Sequence, residues 1–162
     1  MMINILIVIL GSFFILSFES FFMTLLSFSP FIIIALILFD KIDWRKWVVF
    51  VSLISFLIDI LLHRGLGVTL LSISISTGFL YLLFMLIPKK EVFLSYIPYF
   101  VSIFIYYICI TLLNPLVQSG ILGSLAWNLA LGYFIKSLIS GVIIWGITVF
   151  MNNFRSDNRI SL

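Results

Sequence analysis

WVVFVSLISFLIDILLHRGLGVTLLSISISTGFLYLLFMLI, residues Trp47 to Ile87, is two apolar runs hinged on five residues, HRGLG (His63–Gly67). Neither run alternates apolar and polar residues with period 2, so neither reads as a strand. At 1.5 Å of rise per helical residue, a hydrocarbon layer of ~30 Å is crossed by ~20 residues. Trp47–Leu62 and Val68–Ile87 are of that order. A hinge this short makes the two helices antiparallel neighbours, which predicts a transmembrane hairpin.

The rest of the chain repeats the pattern. Of 162 residues, 64% are hydrophobic and 9% charged, with a mean hydropathy of +1.34. A soluble domain of this size has no way to cover so much apolar surface, and lipid is the solvent that suits it. In hydrocarbon every backbone N–H and C=O must be paired within the segment, so the runs are helices. The reading is an all-α, polytopic integral membrane protein, one domain over 1–162, with about six transmembrane helices. Span one is expected at Ile3–Phe18, with Glu19-Ser20 interrupting the run. Span two ends at Phe39 and begins near Phe21 or at Pro30, because a proline disfavours helix in the residue before it. Span five is expected at Val92–Leu113, with Asn114–Gly120 as a loop. Ile121–Met151 has 31 residues, about 45 Å as a helix, too long for one upright span. A break near Gly132 is therefore expected, with an interfacial segment at Ile121–Leu131, a final span at Tyr133–Met151, and a short polar tail.

Charge sets the orientation. Lys41, Arg45 and Lys46 occupy one gap, Lys89 and Lys90 another, and Arg155 and Arg159 the tail. The intervening gaps hold Arg64 alone. Cationic loops are retained on the cytoplasmic side, which places both termini in the cytoplasm. Trp44 and Trp47 fit as anchors at that interface. The net charge of +3 is topogenic in this arrangement and does not point to nucleic acid. The N-terminus lacks the basic region and small-residue cleavage site of a secretory signal and reads as the retained first span.

No reaction is spelled out. Cys109 and His63 are the sole residues of their types, so neither an internal disulfide nor a thiolate or imidazole metal cage is expected. No nucleophile–base pair, phosphate loop or paired carboxylates within a span appear. The reading is a non-enzyme without cofactor or metal.

Intramembrane polar residues are costly and carry the candidate site. Ser52, Ser55, Asp59 and His63 follow at spacings of 3, 4 and 4, on one face of their helix. Thr69, Ser72 and Ser76 form a similar stripe on the next. Close helix packing explains the serines; a polar cavity or partner groove is the other reading, favoured by Asp59. Ser124, Asn128, Gly132, Lys136 and Ser140 recur every fourth residue. Lys136 either pairs with Asp59 or snorkels to headgroups. The candidate structural or partner site is Asp59, His63, Arg64, Gly65, Gly67 and Lys136. Asp59 is expected to pair with Lys136, Arg64 or a residue of another protein.

FSP (Phe28–Pro30) and IDILLHRGLGVTLLSISISTGFLYLL (Ile58–Leu83) carry a resemblance. With Asp59, Leu66, Gly67, Leu70, Leu71 and Ser74 at matching positions, the chain resembles the rod shape-determining membrane protein family, MreD. It departs from that pattern at VSLISF, where a glycine is common, at His63-Arg64-Gly65, and at Phe31. The similar part covers about a third of the chain. The resemblance implies a non-catalytic subunit of the bacterial cell-elongation complex, acting in lateral peptidoglycan synthesis and cell shape. Implied partners are an MreC-like periplasmic scaffold, an MreB-like filament and the elongation synthases. The family is itself similar to the S components of energy-coupling-factor vitamin transporters, which implies an S-component-like bundle and supplies the alternative function, substrate binding for transport. Span one has no alanine for the AxxxA docking pattern common in S components; Ala126 and Ala130 have that spacing in a different span.

Overall fold

The structure, a computed structural model, describes residues 2–39, 41–87 and 96–157. It is all-helical over them, with α1 Met2–Leu26, α2 Pro30–Phe39, α3 Trp44–Leu61, α4 Val68–Leu86, α5 Ile97–Ser119 and α6 Trp127–Asp157. The expected loop Pro88–Glu91, the start of span five at Val92, and Arg159 in the tail lie outside the described residues.

Successive helices run antiparallel: Ser76 and Phe84 of α4 meet Ser102 and Tyr99 of α5, and Thr111 and Phe100 of α5 meet Tyr133 and Gly141 of α6. One end of the bundle carries Lys41, Arg45 and Lys46; the other carries the 63–67 turn. The predicted hairpin is α3 and α4, within a few residues of the expected limits. Helix α2 is the centre. It has 10 residues, about 15 Å, and packs against all five other helices. Phe31, Ile32, Ala35 and Leu36 are fully buried on it.

Four expectations change. Glu19-Ser20 does not interrupt α1, which runs on to Leu26; Glu19 turns into the bundle and finds partners there. Trp47 is no interface anchor: it is buried, and its indole N–H donates to the Ala35 carbonyl of α2 at 2.8 Å. Trp44 stays exposed and stacks on it.

The third change is α5, which passes through Asn114 and Pro115 to Ser119. A proline there cannot donate to the carbonyl of Thr111. The returning chain covers that stretch instead: Gly123 N–H donates to the Leu112 carbonyl at 3.2 Å, and its backbone lies against the Thr111 carbonyl where a Cβ would collide. Gly120, at φ +72°, ends the helix.

The fourth is the last stretch. No break occurs at Gly132; α6 is continuous from Trp127, and the irregular segment is 120–126. A lone glycine costs a helix ~1 kcal/mol against alanine. Opening the helix inside hydrocarbon would strand backbone polar groups at several kcal/mol each. Helix α6 also continues through Arg155 to Asp157, into the expected tail.

Large apolar side chains cover the surface as well as filling the core. Phe13, Phe14, Val49, Met85, Trp127, Ile135 and Val142 are exposed, while Glu19, Ser29, Asp59, Thr69, Ser72 and Ser102 are fully buried. Helices α4, α5 and residues Trp127–Phe150 of α6 are long and apolar enough to cross a membrane. Lipid solvates the first set without cost; the second needs partners inside, and of these residues only the Ser102 hydroxyl lacks one.

Candidate functional site

Two carboxylates are buried in the bundle, and each caps a helix from the helix before it. Asp59 sits two residues from the end of α3. The chain then turns through His63, at φ +50°, and Gly67, at φ +87°. This turn aims the first amides of α4 back at Asp59. Its carboxylate accepts Gly67 N–H at 2.8 Å and Thr69 N–H at 3.2 Å. Initial helix amides have no intrahelical partner, and an anion at that end also meets the favourable pole of the helix dipole.

The turn is held from outside by α5. Asn114 Oδ1 accepts Gly65 N–H at 3.0 Å, and Gln118 Nε2 donates to the His63 carbonyl at 3.0 Å. A Cβ on Gly65 would stand 2.6 Å from Val117 Cγ1. Glycine there lets the turn meet α5 closely.

Glu19 repeats the device deeper in the molecule. Chain reversal at Ser27–Ser29 brings the N-terminus of α2 beside it. Oε2 accepts Phe31 N–H at 2.8 Å, and Oε1 accepts the Ser29 hydroxyl at 2.6 Å. Two phenols of α5 close the group: Ser29 N–H donates to Tyr107 Oη at 3.0 Å, and Ser29 Oγ lies 3.2 Å from Tyr106 Oη. Tyr107 stands 12 residues before the end of α5, about 18 Å inside the bundle. No water reaches the start of α2 cheaply at that depth, so side chains supply its acceptors.

Arg64 joins the two groups. Its Nη1 donates to Thr69 Oγ1 at 3.2 Å, and Nη2 lies 3.9 Å from Met23 Sδ on α1. From there its charge acts on Glu19 and on Tyr106. Lys136 packs its ammonium over the rings of Tyr107 and Tyr133, at 5.8 and 5.6 Å from the centroids; a cation over an aromatic face is attracted by the ring quadrupole.

Of the six residues singled out, Asp59, Gly65, Gly67 and Arg64 meet in one turn. His63 belongs by its backbone alone, with an exposed side chain. Lys136 does not pair with Asp59; it belongs to the Tyr107 end of the Glu19 group. Glu19, Ser29, Tyr106 and Tyr107 were not among the candidates. Their signal was present: one carboxylate within an otherwise apolar helix, ten residues before a Ser-Pro helix start. Among the described residues no group of three His, Cys, Asp or Glu could hold a metal. The arrangement fixes backbone at two helix starts.

Comparison with family models, with curated proteins and with solved structures finds no match to this chain.

Proposed function

We propose that the chain is a six-pass protein of the bacterial cytoplasmic membrane, with both termini cytoplasmic, and a non-catalytic subunit of a cell-elongation complex of the rod-shape-determining kind. Five helices cross the bilayer. The sixth pass is made by the Ser27–Ser29 reversal and the half-length α2. The S-component-like bundle is part of the same reading.

The observation that carries it is the Asp59 turn. Two of the residues on which the family resemblance rests, Asp59 and Gly67, build this turn: the capping carboxylate and the left-handed residue at the start of α4. A binding subunit for a vitamin needs convergent polar groups facing a cavity. Here the two buried carboxylates are taken up by helix-start amides and the Ser29 hydroxyl, and the cavities are lined mainly by aliphatic and aromatic side chains. A scaffolding role suits such a body.

The test is complementation in a rod-shaped bacterium whose own subunit of this kind is depleted. The wild-type chain is expected to restore rods and to retain a single-span MreC-like scaffold through purification. Asp59→Asn, which keeps one acceptor oxygen, should retain both in part, and Asp59→Leu should lose both while still inserting. Loss of vitamin uptake with cell shape unchanged would instead assign the chain to transport.

A further inference from the structure

The cationic end of the bundle holds a feature that the elongation role does not use. A groove of about 470 Å³ there is lined by Ser12 of α1 and by Arg45, Lys46, Val49, Phe50 and Leu53 of α3. Arg45 and Lys46 sit in the first turn of α3 at its mouth. Val49, Phe50 and Leu53 continue one or two turns further along the same helix, so the lining runs about 10 Å from cation to its apolar floor. Both cations are exposed, and among the described residues neither makes a hydrogen bond or an ion pair. Asp43, the nearest described carboxylate in sequence, is outside the lining. Lys41 and Trp44 lie at the same end, and Trp44 is exposed as headgroup-level tryptophans are.

We propose that this groove is a binding site for an anionic phospholipid of the adjoining leaflet. The phosphodiester and a second acidic or polyhydroxyl headgroup take Arg45 and Lys46; one acyl chain lies along Val49, Phe50 and Leu53. Charge complementarity selects this occupant. Unpaired cations over an apolar floor suit a molecule that is anionic at one end and aliphatic at the other, and a basic pocket between helix ends is the form that anionic headgroup sites take. A transmembrane helix of another protein would leave both cations without a counter-charge. The site requires the bundle to be in a bilayer and does not depend on the shape-determining role.

The experiment is native mass spectrometry of the full chain in detergent, titrated with phosphatidylglycerol or with phosphatidylcholine carrying the same acyl chains. Phosphatidylglycerol is expected to bind as one preferred copy. A cation near an anionic headgroup contributes about fivefold in affinity, so Arg45→Gln with Lys46→Gln should weaken binding roughly 30-fold. Leu53→Trp, which keeps both charges and fills the floor, should weaken phosphatidylglycerol binding too, and Lys41→Gln should leave it near wild type. Should the double variant fail to insert, Leu53→Trp and Lys41→Gln decide alone. Equal binding of the two lipids overturns the proposal, as does a Leu53→Trp chain that binds phosphatidylglycerol like wild type. So does Leu53→Trp changing the number of chains per particle without changing lipid binding, which would make the groove a contact between copies.

Discussion

Single residues settle how this chain affords polar groups in an apolar bundle. Asp59 and Glu19 each accept two donors and have none to spare. Removing such an acceptor leaves each buried donor unpaired, at about 1–3 kcal/mol apiece. Glu19→Leu should therefore destabilise the protein by roughly 2–5 kcal/mol, read as a lower midpoint of unfolding in mild detergent. Glu19→Gln retains one acceptor oxygen and should cost clearly less. Equal stability of the leucine variant and wild type would show that the start of α2 finds its acceptors elsewhere. Gly65 makes a second case. Gly65→Ala should cost about 1–3 kcal/mol, because the new methyl overlaps Val117. Val117→Ala in the same chain should restore part of the loss, since it removes Cγ1 but leaves Cβ, at 2.8 Å, in place. No interaction between the two changes in a double-mutant cycle would count against the close approach of turn and α5.

At the scale of the element, α2 and α6 show opposite solutions to the same constraint. Helix α2 starts inside the bundle, and Glu19 accepts its Phe31 N–H directly, with the Ser29 hydroxyl as a second donor to the same carboxylate. Helix α6 avoids an internal terminus by running unbroken through Gly132. Cysteine substitutions from Leu129 to Ser140, in a Cys109→Ser background, should thus label with a period near 3.6 residues, with no extra reactivity at 131–133. A reactive interval centred on Gly132 would restore the broken-helix expectation. Pro115 belongs at this scale too. The helix continues through it, and Gly123 N–H of the returning chain donates to the neighbouring Leu112 carbonyl. Gly123→Val should displace the 120–126 segment and lower stability, while Gly132→Ala, which meets open space, should raise it slightly.

For the whole molecule, the proposed orientation predicts which surfaces a membrane-impermeant thiol reagent reaches. Leu66→Cys and Ile121→Cys, exposed at the end bearing the 63–67 turn, should label in intact cells; Ile42→Cys should label only after permeabilisation. The reverse result would invert the bundle. Ser29 is unsuitable as a reporter, being fully buried in the Glu19 group.

Composition and run length by themselves determined that the chain is helical and apolar enough for lipid, because a helix is the single-segment structure that pairs its own backbone. The five-residue hinge determined the α3–α4 hairpin, and the spacing of Ser52, Ser55 and Asp59 put them on one face of their helix. These are local or near-local constraints, and they need no knowledge of neighbours. The partners of the polar groups were not legible in this way. Asp59 turns to the amides of its own turn and not to Lys136; Trp47 enters the core; Glu19 reaches a helix start that exists only once Ser27–Ser29 has folded back beside Tyr106 and Tyr107. Each outcome depends on donors brought together from helices far apart in sequence. In a bundle where hydrophobicity does not discriminate one packing from another, that meeting of donors and acceptors is decided by the tertiary structure alone.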